Sequence, residues 1–205
     1  MRRSVQILIA RKAADATALT AREAIQTLLG YGADLAELHR RQLVELEVEA
    51  TAAAPLVATL ESYLERTVTF WNPNRERAWV RLGGADGFSW EGGHGTTACA
   101  CGAPALDDPG FDHLLIWSRE DDGIAPDLGQ ALGEASRLRS RQAEVYSFRW
   151  RGEPDEAART RLLKGVAVAE SRGRGLLVQP HYQDHRFVLG PVPIPVWGAR
   201  VDALH

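Results

Sequence analysis

Two landmarks in this chain recur at one spacing. Leu8-Ile-Ala-Arg-Lys12 returns as Leu115-Ile-Trp-Ser-Arg119, and Asn72-Pro73 ahead of Ala78-Trp-Val80 returns as Gln179-Pro180 ahead of Arg186-Phe-Val188. Both pairs are 107 residues apart. A shared offset constrains the fold more than any single motif, because a repeated unit must build the same supersecondary structure twice. The 205 residues are therefore predicted to form two copies of one module of about 100 residues, each large enough to bury its own core. Between them, residues 83–110 hold eight of the nineteen glycines and no lysine or arginine. That composition reads as a long, flexible connector or a draped loop.

Each half carries the same order of elements. Val5, Ile7 and Ile9 alternate with their neighbours as a strand does. Thr20-Ala-Arg-Glu23 has the form of a capping box, and Ala21, Ile25, Leu28 and Leu29 then fall on one helical face. Gly30 or Gly32 can end that helix in a left-handed conformation. Val44, Leu46 and Val48 alternate with Glu45, Glu47 and Glu49, which predicts a sheet with one face in water. Pro55 opens a helix whose stripe is Leu56, Leu60, Tyr63 and Leu64, and Ala78, Val80 and Leu82 close the half. The second half follows: a strand at 113–118, a helix after Pro126 with Leu128, Leu132, Ala135 and Leu138, and a strand at 144–150. A helix after Pro154 buries Ala158, Leu162, Val166 and Ala169, and the last strand runs through Phe187 to Leu189. The expected fold class is α+β, two ferredoxin-like-type modules, each an antiparallel sheet with helices on one face. The boundaries are 1–82, a glycine-rich linker at 83–110, a second module at 111–190 and a proline-rich tail at 191–205. The tail's prolines cannot donate ladder hydrogen bonds, so it should lie along an edge or across the other module.

Composition removes several function classes. The chain is 45% hydrophobic and 25% charged with a net charge of −3, so it lacks the basic surplus of a nucleic-acid footprint. No run approaches the roughly 18 apolar residues of a membrane helix, and the short apolar run after Met1-Arg2-Arg3 reads as a first strand, not an export signal. Cys99 and Cys101 are poorly placed for a structural disulfide, which fits a cytoplasmic location. Lys12 and Lys164 are the only lysines. No phosphate loop, dinucleotide fingerprint, nucleophile elbow or H-E-x-x-H occurs, so no cofactor is expected.

Candidate site residues are few. His181 and His185 flank Tyr-Gln-Asp, and on an extended strand both imidazoles would share a face; the plainer alternative is a turn with solvated histidines. Beside Tyr146 and Trp150 they are the candidate catalytic set of a small enzyme with a pocket between modules, of isomerase, decarboxylase or oxygenase type. A sensor binding a small ligand between the halves is a third possibility. His94, Cys99 and Cys101 supply one imidazole and two thiolates as candidate zinc ligands, but no second cysteine pair follows. Trp71, Trp79, Tyr146, Phe148, Trp150 and Trp197 are either a contact face between modules or subunits, or plain core. Arg172 and Arg174, beside glycines, stand where a phosphate or a solvated turn would be.

From Ala21 to Glu76 the chain resembles PurS, the small subunit of formylglycinamidine ribonucleotide (FGAM) synthase, an enzyme of purine biosynthesis. The resemblance rests on Leu28-Leu29-Gly30-Tyr31, on the acidic strand Leu43–Glu49 and on Asn72-Pro73-Asn74-Arg75-Glu76. Gly175-Leu-Leu-Val-Gln-Pro-His-Tyr-Gln-Asp184 looks like a degenerate copy of the same ending. Gln179 replaces the asparagine there, and the chain is more than twice the usual size. The resemblance implies a non-catalytic subunit that scaffolds or gates an ATP-dependent amidotransferase complex, with the large synthetase and glutaminase subunits as partners and a homodimer as a further association. The expected partner contacts are Asn72, Pro73, Arg75, Gln179, Pro180, His181 and Trp150. A tandem chain would hold permanently a pairing that separate subunits must find by diffusion.

Overall fold

The alternation of Val5, Ile7 and Ile9 becomes strand β1 (Arg2–Arg11) in the computed structural model of the chain. The structure describes residues 2–49, 53–68, 70–83, 89–92, 106–118, 139–169 and 175–197. After β1 come helix α1 (Ala16–Thr27), strand β2 (Leu35–Glu49), helix α2 (Ala53–Arg66), and strands β3 (Glu76–Leu82) and β4 (Ser89–Gly92). The second half supplies β5 (Asp112–Ser118), β6 (Arg139–Trp150), helix α3 (Glu156–Ala167) and β7 (Gln183–Leu189). The helix expected after Pro126 lies outside the described residues.

All seven strands join one antiparallel sheet in the order β4-β3-β1-β2-β6-β5-β7. The expected modules thus meet edge to edge through the long pairing of β2 with β6, from Leu35 opposite Trp150 to Glu47 opposite Arg139. With β4 set aside, the order is palindromic when β1, β2 and β3 are matched with β5, β6 and β7. The registers match as well. Leu8 pairs with Trp79 and Leu115 with Arg186, so both members of the second pair lie 107 residues beyond the first. At the centre Gln42 faces Glu144.

One face of the sheet carries the helices, in two clusters. Val5, Ile7, Ile9, Val44, Leu46 and Val48 pack on Leu56, Leu60, Tyr63 and Leu64 of α2. Leu114, Ile116, Tyr146, Phe148 and Trp150 pack on Ala21 and Ile25 of α1 and on Leu163, Val166 and Ala167 of α3. Each large aliphatic side chain buried this way contributes about 1.5–3 kcal/mol. Local details of the sequence reading shift. Asp15 caps α1 by accepting from Thr17 N and Ala18 N, so Thr20-Ala-Arg-Glu23 lies inside the helix and is not its capping box. Leu28 is 76% exposed because α1 has ended by then, and Gly30 takes the left-handed turn at φ +81°. On α3 Val166 is buried as expected, but Leu163 and Ala167 join it where Leu162 and, beyond the helix, Ala169 were expected, and Ala158, Leu162 and Ala169 are half-buried.

The other face is not open to water as the alternation of Glu45 and Glu47 suggested. Leu8, Leu43, Leu115, Ala143, Val145 and Val188 form its apolar layer, covered by Leu106, Val192 and Val196. The proline tail crosses from β7 to the first half, as expected of it. Glu45 is 7% exposed because the tail lies on it: it accepts from Val196 N at 2.7 Å and Trp197 N at 3.2 Å, and from Gln6 Nε2 at 2.7 Å. Gln6 Nε2 also donates to Pro193 O at 2.8 Å, and Arg81 to Val192 O at 3.2 Å. At Gly83 any Cβ would meet Ile194 Cγ2 at 2.8 Å, so the tail needs glycine there to approach. The linker is also partly structured: β4 extends the sheet on β3 and Leu106 is fully buried. Among the described residues no helix is long and apolar enough to cross a membrane.

Candidate functional site

The two helix-face clusters leave the middle of the sheet uncovered by α1, α2 and α3. Register aligns Ile9, Gln42, Glu144 and Ile116 across β1, β2, β6 and β5, so the two central positions are polar where their outer neighbours are aliphatic. Here the structure has a cavity of about 410 Å³. Its lining pairs off between the halves: Ile9 with Ile116 and Glu76 with Gln183 at the offset of 107, and Arg40 with Gln142 at the shorter offset of 102 by which Leu43 and Val145 pair with Leu8 and Leu115. The cavity therefore sits where the halves join.

Its floor is a satisfied ion network. Arg40 donates through Nε to Glu144 Oε2 at 3.3 Å, through Nη2 to Glu144 Oε1, and through Nη1 to Asp15 Oδ2 at 3.3 Å. Asp15 is only 14% exposed and Glu144 45%; the same Asp15 that caps α1 thus anchors Arg40. The hydrogen bond to Glu144 raises the Arg40 pKa further above its ordinary value. Tyr146 donates its hydroxyl to Glu144 Oε2 at 3.4 Å, and burial, helped by the Glu144 charge, pushes its pKa up to about 12. Gln42 Nε2 donates to Gln142 Oε1 at 3.3 Å. A phenol held protonated and a carboxylate already bonded to a guanidinium are poor general bases. The arrangement is suited to holding a polar molecule.

At the two ends of the cavity stand two turns of one design. Asn72 O accepts from Arg75 N and Glu76 N, and Asn72 N donates to Glu76 Oε2 at 2.7 Å. Gln179 O accepts from Tyr182 N and Gln183 N, and Gln179 N donates to Gln183 Oε1 at 2.8 Å. Asn72, Arg75, Gln179 and His181 are exposed, and Pro73 and Pro180 half-buried. Lys12 fastens the first turn by donating through Nζ to Pro73 O at 2.6 Å.

The other predicted residues are dispersed. His181 belongs to the turn, against Tyr182, whereas His185 is on β7 against Phe187. They do not share a strand, because β7 begins only at Gln183. Trp150 is 8% exposed, stacked on Phe148 at 5.4 Å with Nε1 donating to Asp112 Oδ2 at 2.9 Å. It is buried in the α1/α3 core and also borders a second cavity beside Asp112 and Arg159. The six aromatic residues do not form one contact face: Trp71 belongs to the α2 core, Tyr146, Phe148 and Trp150 to the α1/α3 core, and Trp79 and Trp197 to the opposite face. His94, Cys99, Cys101, Arg172 and Arg174 lie outside the described residues. Among the described residues no three His, Cys, Asp or Glu side chains gather as a metal site would require.

Two buried polar groups had gone unnoticed in the sequence. Asp112, 1% exposed, accepts from Trp150 Nε1, Gly190 N and the Arg159 guanidinium. His113, fully buried behind the sheet, meets Ser147 Oγ through Nδ1 at 2.9 Å, and Ser147 Oγ also accepts from Arg41 at 3.2 Å. Burial drives the His113 pKa down to about 3 and that of Arg41 to about 10. Their signal in the sequence was the break in apolar alternation at Asp112-His113 ahead of Leu114-Leu-Ile116.

The class of protein that fold and site define is an α+β antiparallel sheet with a polar cavity at the join of its halves. No family model, no curated protein and no solved structure matches the chain.

Proposed function

We propose that the chain is a tandem PurS-like subunit, non-catalytic, that scaffolds or gates an FGAM-synthase-type amidotransferase complex in the cytoplasm. The observation that carries this reading is the palindromic order β3-β1-β2-β6-β5-β7, with β1 and β3 matching β5 and β7 at one register offset of 107. Such a sheet is what one β-α-β-α-β unit would build by pairing with a copy of itself about a two-fold axis between β2 and β6. Duplication and fusion would make that pairing independent of concentration. The turns at Asn72-Pro73 and Gln179-Pro180, alike in their hydrogen bonds, then offer a large partner two related exposed contacts. The cavity's ion-paired floor also favours binding over chemistry. The rival reading, a stand-alone enzyme built on His181, His185, Tyr146 and Trp150, has less support, because Trp150 and Tyr146 are buried and the histidines stand on different elements.

Co-expression with the large synthetase and glutaminase subunits of the same cell tests the proposal. A complex that co-purifies at fixed stoichiometry and raises glutamine-dependent amidine formation is expected. Failure to co-purify, with no effect on amidine formation, would overturn it.

A further inference from the structure

We propose that the cavity at the join binds one free α-amino acid whose side chain ends in a primary amide, held in a single orientation. This goes beyond the scaffold reading and does not depend on it, since the inference rests on the lining alone. At about 410 Å³ the cavity is within the roughly 300–1,000 Å³ typical of small-molecule sites.

The two sides of the cavity differ in chemistry. On the first-half side, Arg11 pairs in register with Glu76, and Arg40 bonds to Asp15 and Glu144. Guanidinium and carboxylate groups alternate there, so a simple anion would be repelled by the carboxylates and a simple cation by the guanidinium groups. A zwitterionic head, ammonium and carboxylate on one carbon, complements both signs at once. On the second-half side, Gln142 and Gln183 occupy the positions matching Arg40 and Glu76 and carry no charge. Both have their side-chain oxygens engaged, Gln142 Oε1 by Gln42 Nε2 and Gln183 Oε1 by Gln179 N. Among the described residues their NH2 groups have no partner and are the donors left to a ligand. Gln42, donating with its nitrogen, has its oxygen left as acceptor. Two amide donors with one amide acceptor match a primary amide, which accepts and donates together. A side-chain carboxylate would meet Gln42 Oε1 and Glu144 with no proton to offer, and a thioether would leave the amides unsatisfied. Arg11 and Glu76 at one end and Gln183 at the other, with Glu144 paired to Arg40 between them, fix the direction in which the ligand lies.

Isothermal titration calorimetry of the full chain with L-glutamine as probe, and with L-glutamate and L-methionine as comparators, tests this. Saturable binding of one L-glutamine per chain is expected, with both comparators at least about tenfold weaker, as for sites that hydrogen-bond a polar group. Gln183→Leu, at the exposed end of the cavity, should weaken L-glutamine about tenfold and leave L-methionine unchanged. Arg11→Ala, at the solvent-facing end of β1, should weaken both. Thermal melts of each variant show that the fold is kept. No saturable heat with L-glutamine up to about 10 mM, well above a millimolar Kd, overturns the inference. Equal affinity for all three amino acids, or indifference to Gln183→Leu, does the same. A failed co-purification with the synthetase subunits would leave this titration unaffected, so the two proposals fail separately.

Discussion

The first and second halves place equivalent positions in the same strands at the same register, yet treat polarity differently. Ile7 and Leu114, Leu8 and Leu115, and Ile9 and Ile116 are buried apolar pairs at the offset of 107. One position earlier in each half, however, Gln6 matches His113, and two earlier Val5 matches Asp112, all four nearly inaccessible. The layer that closes the core tolerates only aliphatic side chains of similar volume. Polar groups are admitted where a particular partner exists, and the partners are not repeated. Asp112 has Arg159, Trp150 and Gly190 N around it, whereas Val5 has the aliphatic cluster over α2. The two halves share a strand skeleton and differ in the set of hydrogen bonds hung on it.

The sharpest way to break that comparison is at Asp112. Asp112→Ala should destabilise the chain by about 3–5 kcal/mol in urea unfolding, because it strands the Arg159 guanidinium and the Trp150 indole N–H beside an apolar core. A cost below about 1 kcal/mol would mean that Asp112 is as replaceable as its aliphatic counterpart. Next comes Glu45, whose carboxylate receives three donors under the tail. Glu45→Leu should cost about 3 kcal/mol and expose residues 190–197 to limited proteolysis, whereas Glu45→Gln, which retains an acceptor, should lose less than half as much. Equal losses in the two variants would show that the tail is held by packing alone.

The exchange of Gln6 for His113 predicts a pH dependence whose largest part comes from the second half. The folded pKa of His113 is about 3 and its unfolded value about 6.5, so between these values the unfolded chain binds the extra proton. Stability is then fully present above pH 6.5 and falls with acidification by up to about 1.4 kcal/mol per pH unit. Arg41 and Arg81 face His113 with like charge, and Asp112 and Asp108 oppose them. His39 and His185, also lowered by burial, add to the slope in the same direction. His113→Gln, which writes the first half's residue into the second, should flatten most of the dependence in denaturation series from pH 7 to about 4. An unchanged slope would locate the dependence elsewhere.

Much of this skeleton was legible in the sequence because it depends on local period. Val44, Leu46 and Val48, the α2 stripe and the repeated Asn-Pro and Gln-Pro turns are each fixed within about ten residues. What escaped depends on distance. The burial of Glu45 is caused by Val196 and Trp197, which no period links to it. Arg40 meets Glu144 only because β2 pairs with β6, so the ion network under the cavity is invisible to any pattern within one half. Trp150 read as a contact residue because its alternation gives a face but not what covers it. The cap went to Asp15 over Thr20 for a similar reason: Asp15 is also fastened by Arg40, a tertiary bond that overrides an equally good local signal.

The smallest effect is the one that tests equivalence most directly. Glu76 Oε2 accepts from Asn72 N at 2.7 Å and Gln183 Oε1 from Gln179 N at 2.8 Å, one bond in a carboxylate and one in an amide version of the same turn. Each closes an exposed turn ahead of a strand that pairs with its neighbour in the same register. Removing either acceptor should therefore cost about 0.5–1.5 kcal/mol, with the charged Glu76 at the upper end because a carboxylate accepts more strongly than an amide. Glu76→Ala and Gln183→Ala should be additive in the double variant, since the turns lie at opposite edges of the sheet and share no partner. If one loss were several-fold the other, the two turns would resemble each other in geometry only, and the match between the halves would end where β3 and β7 begin.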